Sequence, residues 1–121
     1  MSKIQASTQF LNVMVKVKAG DKPGTYNVHT APEVPYVTQK DTVINYQIYD
    51  DDNQNIVFTG MTIQTLGNDQ LSPASVSISG KQLTFSDANT SSVTISFTLN
   101  FKDADGVLFS HDPQVKNDPQ V

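Results

Sequence analysis

A chain of 121 residues with a net charge of −4 has the size of one domain and an acidic balance. It contains no cysteine, which excludes disulfides, thiolate metal sites and cysteine nucleophiles. All eight basic residues are Lys; without Arg, and with polyanions repelled by the net charge, nucleic-acid and nucleotide binding are set aside.

The opening Met1-Ser2-Lys3-Ile4-Gln5-Ala6-Ser7 is polar and lacks the apolar run of a signal peptide. No segment approaches the roughly 18 apolar residues of a membrane span. The expected placement is cytoplasmic, with no membrane partner.

Period-2 alternation dominates the chain. In Leu11–Lys18, Leu11, Val13, Val15 and Val17 share one face while Met14, Lys16 and Lys18 share the other. From Asp21 to Gln39 the pattern is broken by Pro23, Gly24, Pro32 and Pro35, leaving Tyr26–His29 and Val34–Val37 as short edge strands. Thr42–Tyr49 places Ile44, Tyr46 and Ile48 inward, with Val43, Asn45, Gln47 and Tyr49 on the opposite, partly covered face. Between Ile56 and Thr65 the parity changes, from Ile56 and Phe58 to Met61 and Ile63, which predicts a β-bulge at Gly60. Gly80-Lys81 suits a two-residue type II′ turn that would set Ile78 opposite Leu83 and Val76 opposite Phe85. Val93–Lys102 is the cleanest strand: Val93, Ile95, Phe97, Leu99 and Phe101 face a polar set of Thr94, Ser96, Thr98 and Asn100. Asp103-Ala104-Asp105-Gly106 then signals a hairpin, with Gly106 left-handed after a type I turn and Val107–Phe109 returning.

These elements predict an all-β fold, a two-sheet antiparallel sandwich of immunoglobulin-like size with about seven to nine short strands. The domain is expected over residues 1–110, followed by a proline-containing tail at 111–121. In that tail Asp112-Pro113-Gln114-Val115 recurs as Asp118-Pro119-Gln120-Val121. Each Pro disfavours helix before it and removes one ladder donor, so the segment reads as a semi-extended arm. The stretch from Gly106 to Pro119 resembles the C-terminal end of a family of small bacterial proteins, the DP-EP family. Asp118-Pro119 stands here where Glu-Pro would be expected. That resemblance implies no catalytic residues, because the family carries no established activity.

Two carboxylate clusters, Asp50-Asp51-Asp52-Asn53 and Asp103-Ala104-Asp105, space oxygens as the start of a calcium loop does. Neither is followed by the Gly and distal Glu of a twelve-residue loop, and the only Glu is Glu33. Asp and Asn also serve tight turns by bonding their own backbone, which is the preferred reading. His29 and His111-Asp112 supply two histidines and a carboxylate, but nothing in the sequence brings them together. No Gly-x-Ser-x-Gly elbow or phosphate loop is present. Of the four tyrosines, Tyr49 is the best candidate for an exposed stacking face.

The expected function is therefore non-enzymatic: a sandwich acting by protein–protein contact or self-association, without a cofactor. Its interaction residues would be Asp112, Pro113, Asp118, Pro119 and Tyr49. The alternative is a carbohydrate- or calcium-binding module using Tyr49 with Asp50, Asp51, Asp52, Asp103 and Asp105.

Overall fold

The computed structural model describes residues 8–120, so the polar stretch Met1–Ser7 lies outside it. Ten strands follow in chain order: β1 (Phe10–Ala19), β2 (Tyr26–Ala31), β3 (Tyr36–Val37), β4 (Thr42–Asp50), β5 (Val57–Ile63), β6 (Ser75–Val76), β7 (Gln82–Asp87), β8 (Thr94–Lys102), β9 (Leu108–His111) and β10 (Gln114–Asn117). Among the described residues there is no helix. One sheet runs β2-β1-β4-β7-β6 and the other β3-β10-β8-β5, with β9 also paired to β8.

Alternation builds the core as the sequence implies. Val13, Val15 and Val17 are fully buried from β1, and Ile44 and Tyr46 from β4. Phe97, Leu99 and Phe101 from β8 meet them from the other sheet. Phe97 sits at the centre, edge-on to Tyr46 at 5.9 Å and to Phe85 at 5.5 Å, the arrangement that aromatic quadrupoles favour. A second stack of rings runs from Tyr26 to Phe109 (4.5 Å), Phe101 (5.0 Å) and Phe58 (5.0 Å), tying β2 to β9, β8 and β5. The bulge expected at Gly60 is there: the register against β8 slips between Phe58 and Gly60, with Thr59 as the extra residue.

Four expectations are corrected. The sandwich is not wholly antiparallel, because β1 pairs β4 in parallel and β3 pairs β10 in parallel. Turn chemistry identifies strands joined by tight hairpins, and these two pairs are joined by long crossovers between the sheets. Secondly, the described residues form ten strands, slightly more than the seven to nine expected. Thirdly, the hairpin after β6 is wider than two residues: Val76 opposes Leu83, and Ser77 N–H bonds Gln82 across a loop of Ile78–Lys81. Gly80 closes a turn on the Ser77 carbonyl at 2.9 Å with φ of +76°, so it is the last turn residue rather than the first central one. A Cβ at Gly80 would lie 2.6 Å from Val57 Cβ, a second reason for glycine there. Ile78, expected inward, is fully exposed.

The fourth correction concerns residues 111–121. His111 ends β9, and β10 lies between β8 and β3, with Val115 and Asn117 fully buried. Beyond it, Asp118 N–H bonds Val37 at 2.8 Å and Gln120 N–H bonds Thr38 at 3.2 Å. The segment docks on its own domain. Its inward alternation is hidden in the sequence because one of its two inward residues, Asn117, is polar.

Deleting residues 112–121 removes β10, one side of the second sheet and a core valine. The truncated chain is expected to lose its cooperative unfolding transition in urea, as monitored by circular dichroism. A midpoint unchanged from the full chain would return these residues to the status of a tail.

Candidate functional site

The two acidic loops lie at the same end of the sandwich, either side of the β1–β2 turn. Asp52 accepts the Ala19 N–H at 3.2 Å, and Asp103 accepts the Tyr26 hydroxyl at 2.5 Å. All of these carboxylates except that of Asp105 have a structural employment. Asp50 caps Asp52 N–H at 3.0 Å and lies 3.9 Å from Lys16. Asp51 pairs with Lys81 at 2.8 Å and accepts the N–H groups of Asn53 (3.2 Å) and Ile56 (3.1 Å). Asp103 accepts the N–H groups of Asp105 and Val107, both at 2.9 Å. Asp52, Asn53 and Asn55 have φ between 53° and 57°, the left-handed region that Asx residues tolerate in turns. Asp105 is exposed. Among the described residues no three His, Asp or Glu side chains come together as a metal-ligating group.

The tyrosines are dispersed. Tyr46 is core, Tyr26 is stacked on Phe109, and its hydroxyl is pushed up to about 12 by the Asp103 hydrogen bond. Tyr49 and Tyr36 are exposed but belong to different sheets. They form no common platform.

A site emerges instead where the sequence offered no spacing signal. Pro113 stands opposite Phe97 in the ladder with β8 and accepts its N–H at 3.2 Å. Proline has no N–H for the reciprocal bond, so the strand is interrupted there and divides into β9 and β10. The pairing partners on either side, Leu99 with His111 and Ser96 with Gln114, keep one register. A side-chain bond spans the gap: the Thr98 hydroxyl donates to Asp112 Oδ1 at 2.7 Å while accepting from Gln64. Thr98, expected on a solvent-facing surface, is buried beneath this pair.

Facing that break, across a cleft of about 560 Å³, stands β2 with His29 and Thr30. Glu33 and Val34 continue the wall beyond β2; Val28 and the exposed Val34 give the cleft apolar surface, and the buried Phe97 and Pro113 lie behind it. Thus the structure brings His29, His111 and Asp112 to one cleft, which their sequence separation concealed. Burial holds the His111 imidazole below its ordinary value, the Asp112 charge opposing and His29 adding to the effect. The residues that sequence reasoning missed here are Glu33 and Gln64, neither of which sits in a motif. Of the residues assigned to a docking arm, Asp112 and Pro113 line this cleft, whereas Asp118 and Pro119 run beside β3.

The fold and site therefore define a two-sheet all-β sandwich with a polar-walled cleft between β2 and the β9–β10 break. The chain belongs to the DP-EP family, whose model matches residues 9–119. Thus the resemblance first carried by the C-terminal motif extends over nearly the whole chain. No curated protein matches it.

Thr98→Ala leaves the Gln64 amide and Asp112 carboxylate facing a methyl group. Gln64 and Asp112 are exposed and can bond water instead, so the expected loss is that of the bonds alone, about 0.5–1.5 kcal/mol, measured by urea unfolding. A loss no larger than that of Thr94→Ala would show that the bridge adds nothing. A second expectation concerns pH. The Lys81 ammonium, with the N–H groups of Ile56 and Asn53, holds Asp51 below its ordinary value of 3.8. A depressed folded-state value contributes stability above the unfolded value and loses it as pH falls through the folded one. Wild type should therefore exceed Asp51→Asn by on the order of 1 kcal/mol at neutral pH. The gap should shrink below about pH 3.8, and a constant gap would contradict the pairing.

Proposed function

We propose that the protein is a non-enzymatic binding module that takes an extended polypeptide segment into the cleft beside β2. The observation that carries this reading is the unpaired outer edge of β2. Among the described residues that strand bonds only β1, and the edge borders a cleft with apolar surface and a rim of His29, Glu33, His111 and Asp112. An unpaired edge offers backbone donors and acceptors to an incoming strand, while side-chain pockets beside it choose among sequences. The volume lies within the roughly 300–1,000 Å³ of ordinary binding clefts. Strands β2, β8, β9 and β10 supply much of the wall, with the Glu33–Val34 loop, Gln64 and the Asp112–Pro113 break completing it, and a largely preformed wall lowers the ordering cost of binding. Self-association is one form of this contact, with a segment of a second copy as the occupant. Four of the five carboxylates that would favour calcium, those of Asp50, Asp51, Asp52 and Asp103, are spent on backbone N–H groups, which supports the protein-binding reading over the metal one.

The test is an array of extended peptides followed by amide chemical-shift mapping of the best binder. Shifts are expected at residues 28–30 and 111–114, with binding weakened at least tenfold by His29→Asp, an exposed position whose change leaves the fold intact. Light scattering across protein concentration reads the self-association form. Shifts elsewhere, or binding indifferent to His29→Asp, would remove the cleft from the reading.

A further inference from the structure

A second polar cluster lies in the interior, away from the cleft. Asp87 at the end of β7, Asn89 just after it and Asn117 on β10 are all completely buried. Asp87 Oδ1 accepts two bonds, from Asn89 N–H at 3.0 Å and from Asn117 Nδ2 at 3.0 Å. Asn117 Nδ2 also donates to Gln70 Oε1 at 3.1 Å, and Asn89 Nδ2 to the Gln39 carbonyl at 3.2 Å. These acceptors fix both amide orientations, because a flipped amide would set oxygen against oxygen. One oxygen of each side chain is then left over. Asp87 Oδ2, Asn89 Oδ1 and Asn117 Oδ1 are buried with no hydrogen-bond partner among the described residues. Asn117 is tied to Asp87 Oδ1 through its side-chain amide and Asn89 through its backbone N–H, so the three orphaned oxygens belong to one hydrogen-bonded cluster.

An arrangement of this kind has to be balanced. Asp87 has no Lys or His within ion-pair distance among the described residues, and a buried, unpaired carboxylate costs several kcal/mol. Burial accordingly raises the Asp87 carboxyl above its ordinary value, against the hydrogen bonds from Asn117 and Asn89. A proton on Oδ2 would serve that oxygen and one amide oxygen but leave the third orphaned. A cation serves all three at once, since hard cations take carboxylate and carbonyl oxygens as ligands. The charge decides its valence. One positive charge leaves the cluster neutral, whereas two would leave a net charge buried.

We propose that Asp87, Asn89 and Asn117 form an internal site for a small monovalent cation, Na⁺ or K⁺, which pins the end of β7 to β10. Thermal melts at constant ionic strength in NaCl, KCl or choline chloride test it directly. Choline is too large to enter, so wild type should melt higher in one of the alkali salts, by on the order of 5 °C. The difference should vanish in Asp87→Asn, which keeps the shape and removes the charge. Crystals soaked in rubidium chloride give a readout independent of that variant's folding: an anomalous peak among the three oxygens is expected. Equal melting in all three salts, or no anomalous peak at the cluster, overturns the proposal.

Discussion

Pro113 has no N–H to give, and much of the second sheet is arranged around that missing donor. It stands where the ladder would normally exchange two bonds with Phe97, and only one is made. In a sheet interior such a loss is usually avoided by keeping proline on an outer edge. Here the gap is bridged by side chains. Thr98 and Asp112 face one another at the neighbouring, non-hydrogen-bonded pair, where side chains approach most closely. Because that bond holds the two halves in one register, β10 continues along β8 as though the strand were whole, and Val115 arrives in the core. The same break leaves β9 and β10 as separate segments and places Asp112 and Pro113 on the wall of the cleft. One residue type thus fixes both a structural join and the site beside it.

Polar side chains do much of the remaining work of positioning. At the β1–β2 end, the carboxylates of Asp51, Asp52 and Asp103 accept backbone N–H groups that would otherwise go unpaired in tight turns. Lys81 ties the wide β6–β7 hairpin to that end through Asp51 and the Ile56 carbonyl. At the other end, Gln70 bonds Thr90 and Asn117, so a loop, a strand end and the last strand meet through one amide. The stack from Tyr26 to Phe58 gives the apolar counterpart, crossing both sheets. Such a small sandwich is closed less by long hairpins than by these ties.

What the sequence made legible was local. Alternation in β1, β4 and β8 named the core correctly, because a two-residue period leaves large apolar side chains only one face to share. The parity change around Gly60 located a bulge, since a register error of one residue is visible in the pattern itself. Long-range facts were hidden. Nothing local marks β1 as a parallel neighbour of β4. At Gly80 the pattern misled: pairing Ile78 with Leu83 looked favourable, yet that loop is held by Val57 against Gly80, a contact from a distant strand. The tail misled for a different reason. Two prolines and a run of polar residues suggested looseness, but an inward Asn117 can be as firmly seated as a valine when its donors are met.

The cleft was illegible for the same reason that makes it a credible binding surface. Its walls come from β2, from the loop bearing Glu33 and from the β9–β10 break, far apart in sequence and joined only by the crossing of two sheets. Each contributes a residue whose own neighbourhood is unremarkable. In this chain the repeated Asp-Pro dipeptide does not form a free arm, since both copies lie against their own domain. Its first copy shapes the rim of the cleft and its second runs alongside β3. A segment that is both a strand of the fold and a wall of the site links recognition to stability. Binding at the break has to act on a strand whose register rests on Thr98 and Asp112. Under the proposed reading, occupancy of the cleft would be coupled to the seating of β10, and through Asn117 to the polar cluster at its far end.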